Sequence, residues 1–345
     1  MIRRSPAALL IALAAIAVLW TMTAPTRTNG AVAAGPLAAE PLVEAAIAYT
    51  ALGDHARSIA ALDAALRRSP RHRQATLLRA EAALAVGDAA RAVSLIGEMY
   101  TIDDPNRDAW LGALVDIARR PEHRPAVLSA LETGPLWAVP LSNRLIDDAA
   151  PPDLLFESAR RTPPVQERYL HGLLQDGRIE HAYLAWLEFQ QGQPVEDLTW
   201  PYDGVFEGLS GAAPFNWRLL SRQAELAPGD GLHAAYFGPG PTVFAEQILA
   251  APPGLYRLSA TMRGRSEPGG ATLQWVVRCM PETGFEARLA PATLTEQAQT
   301  YFAAIEIPAS DCSFQRLSIE GVPGARASRA SAVTEQIRLR PDAPD

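Results

Sequence analysis

The chain contains no lysine: every one of its 31 Lys-plus-Arg positions is arginine. That excludes a lysine nucleophile, a Schiff base and a phosphate-loop lysine. Cysteine is nearly as scarce, with two among 345 residues. None of the six histidines clusters with Cys279 or Cys312, so a four-ligand zinc site has no donors. Basic residues are outnumbered by 38 acidic ones, giving a net charge of −7, the reverse of a nucleic-acid-binding footprint. Also missing are a Gly-x-Ser-x-Gly elbow, a His-Glu-x-x-His helix, a phosphate loop and a dinucleotide glycine fingerprint. The paired carboxylates Asp103-Asp104 and Asp147-Asp148 diverge in direction and read as solvated helix or turn ends, and His171 and His181 read as surface residues. No catalytic motif is left, and no cofactor is called for.

Long apolar runs are absent with one exception. Arg3 and Arg4 precede an uncharged stretch from Ser5 to Thr26, about 22 residues, long enough to cross a bilayer. Residues 1–30 are expected to form an export signal or single-pass membrane anchor and residues 31–40 a flexible spacer. The two arginines hold the start on the cytoplasmic side, so the rest of the chain is expected to be translocated. Ala31-Val32-Ala33 offers a small-x-small cleavage site, which leaves both an anchored and a cleaved form open.

What the sequence does contain is a repeat. Leu42 to Pro70 and Thr76 to Pro105 recur in register at about 34 residues. Ala46, Tyr49, Gly53, Asp54, Ile59, Leu62, Ala65, Leu66 and Pro70 in the first stretch are answered by Ala80, Gly87, Asp88, Ala92, Val93 and Ile96 in the second. Each stretch reads as two amphipathic helices joined by a Gly-Asp turn. The pattern resembles the tetratricopeptide (TPR) repeat, with Ser58 replacing a small alanine and Leu42 a tryptophan. Trp110 opens a degenerate third copy with Pro121 at its turn, and a fourth echo runs through Leu173, Gly177, Ala182, Tyr183 and Trp186. Residues 41–200 are therefore expected to form a TPR-like α-solenoid. Tyr49, Gly53, Ala65, Ala80, Gly87, Ala92, Trp110, Ala182 and Trp186 would be its packing residues, and its groove would take a protein partner.

Residues 201–345 change to period two. Tyr256, Leu258, Ala260 and Met262 alternate with Arg257, Ser259, Thr261 and Arg263, and Leu273, Trp275, Val277 and Cys279 alternate with Gln274, Val276 and Arg278. Residues 301–307, 314–320 and 333–340 follow as strands between Pro- and Gly-rich breaks, which predicts an antiparallel β-sandwich. Cys279 and Cys312 would pair as a disulfide in an oxidising compartment; two buried free thiols are the alternative.

Tyr202-Asp203-Gly204-Val205-Phe206-Glu207, Phe215-Asn216-Trp217-Arg218-Leu219, Pro253-Gly254-Leu255-Tyr256 and Glu335-Gln336-Ile337-Arg338-Leu339 resemble the strand motifs of jelly-roll carbohydrate-binding modules. The resemblance implies that Glu207 and Glu335 are positioned for a structural calcium ion. Sugar recognition uses aromatic platforms beside amide, carboxylate or guanidinium groups. Trp217, Arg218, Tyr236 and Gln247 are the candidate glycan-binding residues, with Arg263 a further one and Trp275 assigned to the core.

Together, export segment, helical repeats and sandwich resemble bacterial envelope TPR proteins associated with exopolysaccharide synthesis and export. That implies a noncatalytic, periplasm-facing adaptor at the inner membrane, with a protein partner in the groove, polysaccharide on the sandwich and no nucleic acid. An assembly scaffold without sugar affinity and a polysaccharide-modifying glycosidase or lyase are the alternatives.

Overall fold

The computed structural model describes residues 38–190, 199–282, 284–326 and 328–342. The expected export signal or anchor and most of the expected spacer lie outside them, and no helix among the described residues is long and apolar enough to cross a membrane. The chain forms two compact units, divided between Ala85 and Val86.

The first unit holds helices α1 (Glu40–Ala51), α2 (His55–Arg68) and α3 (Arg73–Ala85). The α1–α2 turn needs Gly53, whose φ of +77° a side chain would strain. Asp54 caps α2 by accepting from the Arg57 backbone N–H at 3.0 Å. Val43, Ala46, Leu62, Ala65 and Ala75 form the core. Ser58, the unexpected residue at the tight contact, is buried but hydroxyl-bonded to Thr50 at 2.8 Å. Tyr49 is half-buried beneath the Arg57 guanidinium, and Ala80 is buried.

The second unit opens with α4 (Ala89–Ile102), α5 (Arg107–Ala118), α6 (Arg124–Leu131), α7 (Ala138–Asp147), α8 (Pro152–Arg161), α9 (Gln166–Gln175) and α10 (Ile179–Phe189). Gly87 (φ +82°) and the Asp88 cap precede α4 in the same way as Gly53 and Asp54 precede α2. Ala92 is wholly buried, and buried Trp110 donates its indole N–H to Asp103 at 3.0 Å. At the third expected turn, Pro121 lies between α5 and a shorter α6.

Ten strands follow: β1 (Arg218–Leu219), β2 (Ala224–Ala227), β3 (Gly231–Tyr236), β4 (Thr242–Leu249), β5 (Gly254–Arg265), β6 (Thr272–Met280), β7 (Glu286–Leu289), β8 (Gln299–Ile307), β9 (Phe314–Val322) and β10 (Ala330–Pro341). They form two five-stranded antiparallel sheets, β1-β4-β9-β6-β7 and β2-β3-β10-β5-β8. Their inner faces share a core containing Phe244, Leu258, Met262, Trp275, Leu317 and Ile337. This is the expected sandwich. The disulfide Cys279–Cys312 joins the end of β6 to the residues before β9, and both cysteines are buried.

Ala182 and Trp186 do pack, but their partners include the sandwich as well as helices. The α9–α10 hairpin shares a core with Tyr202, Phe215, Ile248 and Phe314. The Trp186 ring meets Tyr202 edge-on at 5.1 Å, and Tyr183 meets Phe314 at 5.8 Å. Helices and strands of the second unit are thereby one folded body.

Candidate functional site

Three of the four foremost sugar-binding candidates lie inside the protein. Trp217 packs between Phe206 and Trp275, at ring distances of 5.3 and 5.7 Å, and donates its indole N–H to the Asp203 carbonyl at 3.0 Å. Asp203 has φ +52°, and its carboxylate accepts backbone N–H groups of Glu207, Gly208 and Leu209, so it builds the loop that covers Trp217. Tyr236 is buried against Phe244 with its hydroxyl on the Gly240 carbonyl, and burial raises its pKa above the usual phenol value. Gln247 is fully buried; its amide accepts from the Tyr202 N–H at 2.8 Å and donates to the Tyr202 carbonyl at 2.9 Å. No sugar ring reaches these three.

Arg218 is on the outer face of the β1-β4-β9-β6-β7 sheet. It pairs with buried Glu246, which also faces Arg316 at 3.6 Å. Beside them Arg278 holds Glu320, and Glu286 takes Arg278 and Arg288. Burial of Glu286 works to raise its pKa, but hydrogen bonds from Arg288 and Arg278 outweigh this and leave it below the ordinary carboxylate value. The Glu320 hydrogen bond makes the Arg278 guanidinium still more firmly protonated. Ile248 and Phe314 at one end of this face are taken up by the α9–α10 hairpin. The face is thus filled by its own ion pairs.

The outer face of the other sheet carries an open groove of about 650 Å³. Register explains its shape. One row across four neighbouring strands reads Glu225, His233, Val333, Arg263, and the next reads Ala235, Ser331, Arg265 beyond the Gln223 carbonyl that Ala235 N–H reaches. Ala235, Ser331 and Val333 on the two central strands make the floor, with the His233 ring at one side; arginine, glutamate and glutamine on the flanks make the walls. Four strands span about 14 Å at normal strand spacing. Arg222 and Glu296 complete the lining.

The walls are braced from outside. Arg263 donates to Glu335 at 2.9 Å and to Asp230 at 2.6 Å, and Asp230 also holds the His233 ring at 2.7 Å. Arg265 is bound to Glu296. Arg222 and Glu225 have no ion-pair partner among the described residues, which leaves a donor fork and an acceptor pair free on one wall. Of the sequence candidates only Arg263 belongs to this groove, and Arg218 lies on the opposite sheet. Arg222, Gln223, Glu225, His233, Arg265, Glu296 and Ser331 were not anticipated.

The carboxylates suggested for calcium have other surroundings in this structure. Glu335 already has the Arg263 cation as its partner, and at the Glu207 loop the organising carboxylate belongs to Asp203, which is spent on backbone N–H groups. No group of three His, Cys, Asp or Glu side chains among the described residues is arranged to hold a metal.

No protein-family model matches the chain, and no curated protein matches it. Solved structures similar to it include a family 16 carbohydrate-binding module, at 18% identity over 36% of this chain and 89% of that one, TM-score 0.28. A family 4 module matches at 11% identity over 41% of this chain and 99% of that one, TM-score 0.25. A family 61 module in complex with β-1,4-galactotriose matches at 14% identity over 32% of this chain and 70% of that one, TM-score 0.23. At these values the likeness identifies no ligand and no site in this chain.

Proposed function

We propose that the sandwich is a noncatalytic glycan-recognition module whose binding site is the β2-β3-β10-β5 groove. The observation that carries this is a recess of about 650 Å³, a size usual for small-ligand sites, floored by Ala235, Ser331 and Val333 and walled by hydrogen-bonding groups. Sugars offer rows of hydroxyls, and the guanidinium and carboxylate groups of the walls supply donors and acceptors, with Arg263 held in place by Asp230 and Glu335 so that less ordering cost falls on binding. A hydrolase would need two facing carboxyl groups, one of which keeps its proton. The groove lining offers only Glu225 without a cationic partner, which favours binding over cleavage.

Around this module we place the rest of the reading: TPR-like helices engaging a protein partner, an N-terminal segment that exports or anchors the chain in the bacterial inner membrane, and a role in envelope polysaccharide assembly. The Gly53-Asp54 and Gly87-Asp88 turns support the repeat reading, and the apolar run of residues 5–26 supports export.

Affinity electrophoresis of the full chain through gels containing bacterial exopolysaccharides tests the proposal. Retardation by at least one polymer, lost in Arg222→Ala/Glu225→Ala with an unchanged melting temperature, is expected. Equal retardation of wild type and variant would remove the groove from the account.

A further inference from the structure

Three of the four sheet edges are short: β1 has two residues, and β2 and β7 have four each. The fourth, β8, has nine and bonds along its whole length to β5 on one side only. No backbone hydrogen bond runs from its other side to any described segment. Its sequence, Gln299-Thr300-Tyr301-Phe302-Ala303-Ala304-Ile305-Glu306-Ile307, has no proline and no basic residue, and a single charge. Long edges normally carry such devices to prevent pairing. On its outer face Phe302 is 64% exposed, and Leu255 on the neighbouring strand, opposite Glu306, is 60% exposed.

We propose that β8 is a self-association edge, pairing antiparallel with β8 of a second copy about a two-fold axis at Ala303. The inference is independent of the glycan reading. Side chains opposite one another in an antiparallel pair share a face, so outer residues must meet outer residues. A dyad at Ala303 sets Phe302 opposite the second copy's Ala304 and Thr300 opposite its Glu306. Large then faces small, and the only charges stay apart. A dyad one residue later, at Ala304, would set Phe302 against Glu306. With Ala303 at the centre the two Phe302 rings become diagonal neighbours about 7 to 8 Å apart, within reach of each other. A second copy supplies both the complement to this pattern and the cover for an exposed phenyl ring. The join is isologous and closes on itself, giving a dimer rather than a fibre.

Sedimentation of the full chain over the micromolar range is expected to show twice the 37.1 kDa chain mass. Ala304→Lys puts a charge against Phe302 at an exposed position and should return the chain to monomer with unchanged circular dichroism. Register is read separately. Thr300→Cys chains mixed with Glu306→Cys chains should form an intermolecular disulfide on mild oxidation, while neither variant alone should. A monomeric wild type, a dimer that Ala304→Lys leaves intact, or failure of the mixed chains to crosslink overturns the proposal. A monomer that takes up a strand only from another protein also overturns it, and should Ala304→Lys fail to fold, the crosslinking result decides alone.

Discussion

Reducing the Cys279–Cys312 bond should lower the melting temperature of the sandwich sharply. The cysteines are 33 residues apart, and releasing a loop of that length from the unfolded chain is worth about 3.7 kcal/mol in the loop-entropy model. For a cooperative body of this size each kcal/mol moves the transition by roughly 2 to 4 °C, so the expected drop is about 7 to 15 °C. Native contacts at the site should survive reduction. Buried Gln315 donates to the Cys312 carbonyl at 2.6 Å and accepts from the Ala251 N–H at 3.1 Å, and neither bond involves the sulfur–sulfur link. The comparison of oxidised and reduced wild type therefore reads the unfolded state, free of the cavity that a Cys→Ala change would add. Scanning calorimetry with and without a phosphine reductant, with free-thiol counting before and after, makes the measurement. A reduced protein melting within about 2 °C of the oxidised one would refute the entropic reasoning.

Gln247→Ala should remove the two buried hydrogen bonds that the amide makes to the Tyr202 N–H and carbonyl and cost about 1 to 3 kcal/mol at about 0.5 to 1.5 per bond, measured by urea unfolding; a loss below about 0.5 kcal/mol would mean that these bonds contribute no net stability. The lowered pKa of Glu286 makes its contribution fully present above the unfolded-state value near 4.5 and progressively lost as pH falls through the folded-state value. Wild type should accordingly exceed Glu286→Gln in stability by roughly 0.2 to 1 kcal/mol near neutrality, with the gap closing below about pH 4.5, as thermal melts across pH would show. A gap that widens in acid would reverse the assigned sign.

Legibility followed the range of the interactions. Strands β5, β6, β8, β9 and β10 could be read because alternation is a local property and one face of each is buried. The helix turns at Gly53 and Gly87 could be read because a positive φ next to an N-cap leaves its mark in two adjacent residues. Trp217 misled because Trp-Arg at the entry to a short strand does not say which residue turns inward; that was settled by Asp203, whose backbone carbonyl captures the indole from 14 positions away. Tyr236 and Gln247 misled in the same way, since their partners Gly240 and Tyr202 fix them inside. The groove left no local sign at all. Its two rows are drawn from β2, β3, β10 and β5, and only nonlocal register brings Glu225, His233, Val333 and Arg263 into line. Arg263 was singled out as an outward residue of its strand, but its neighbours were out of view.

The most direct test of the account fills the groove. Ala235 stands on its floor, facing outward and beside Ser331, so Ala235→Trp should occupy the recess without touching the core. Titration calorimetry of the full chain with the oligosaccharide repeat of a polymer that retards the wild type should show binding that Ala235→Trp abolishes at an unchanged melting temperature. A folded Ala235→Trp protein that binds with wild-type affinity would contradict the central claim.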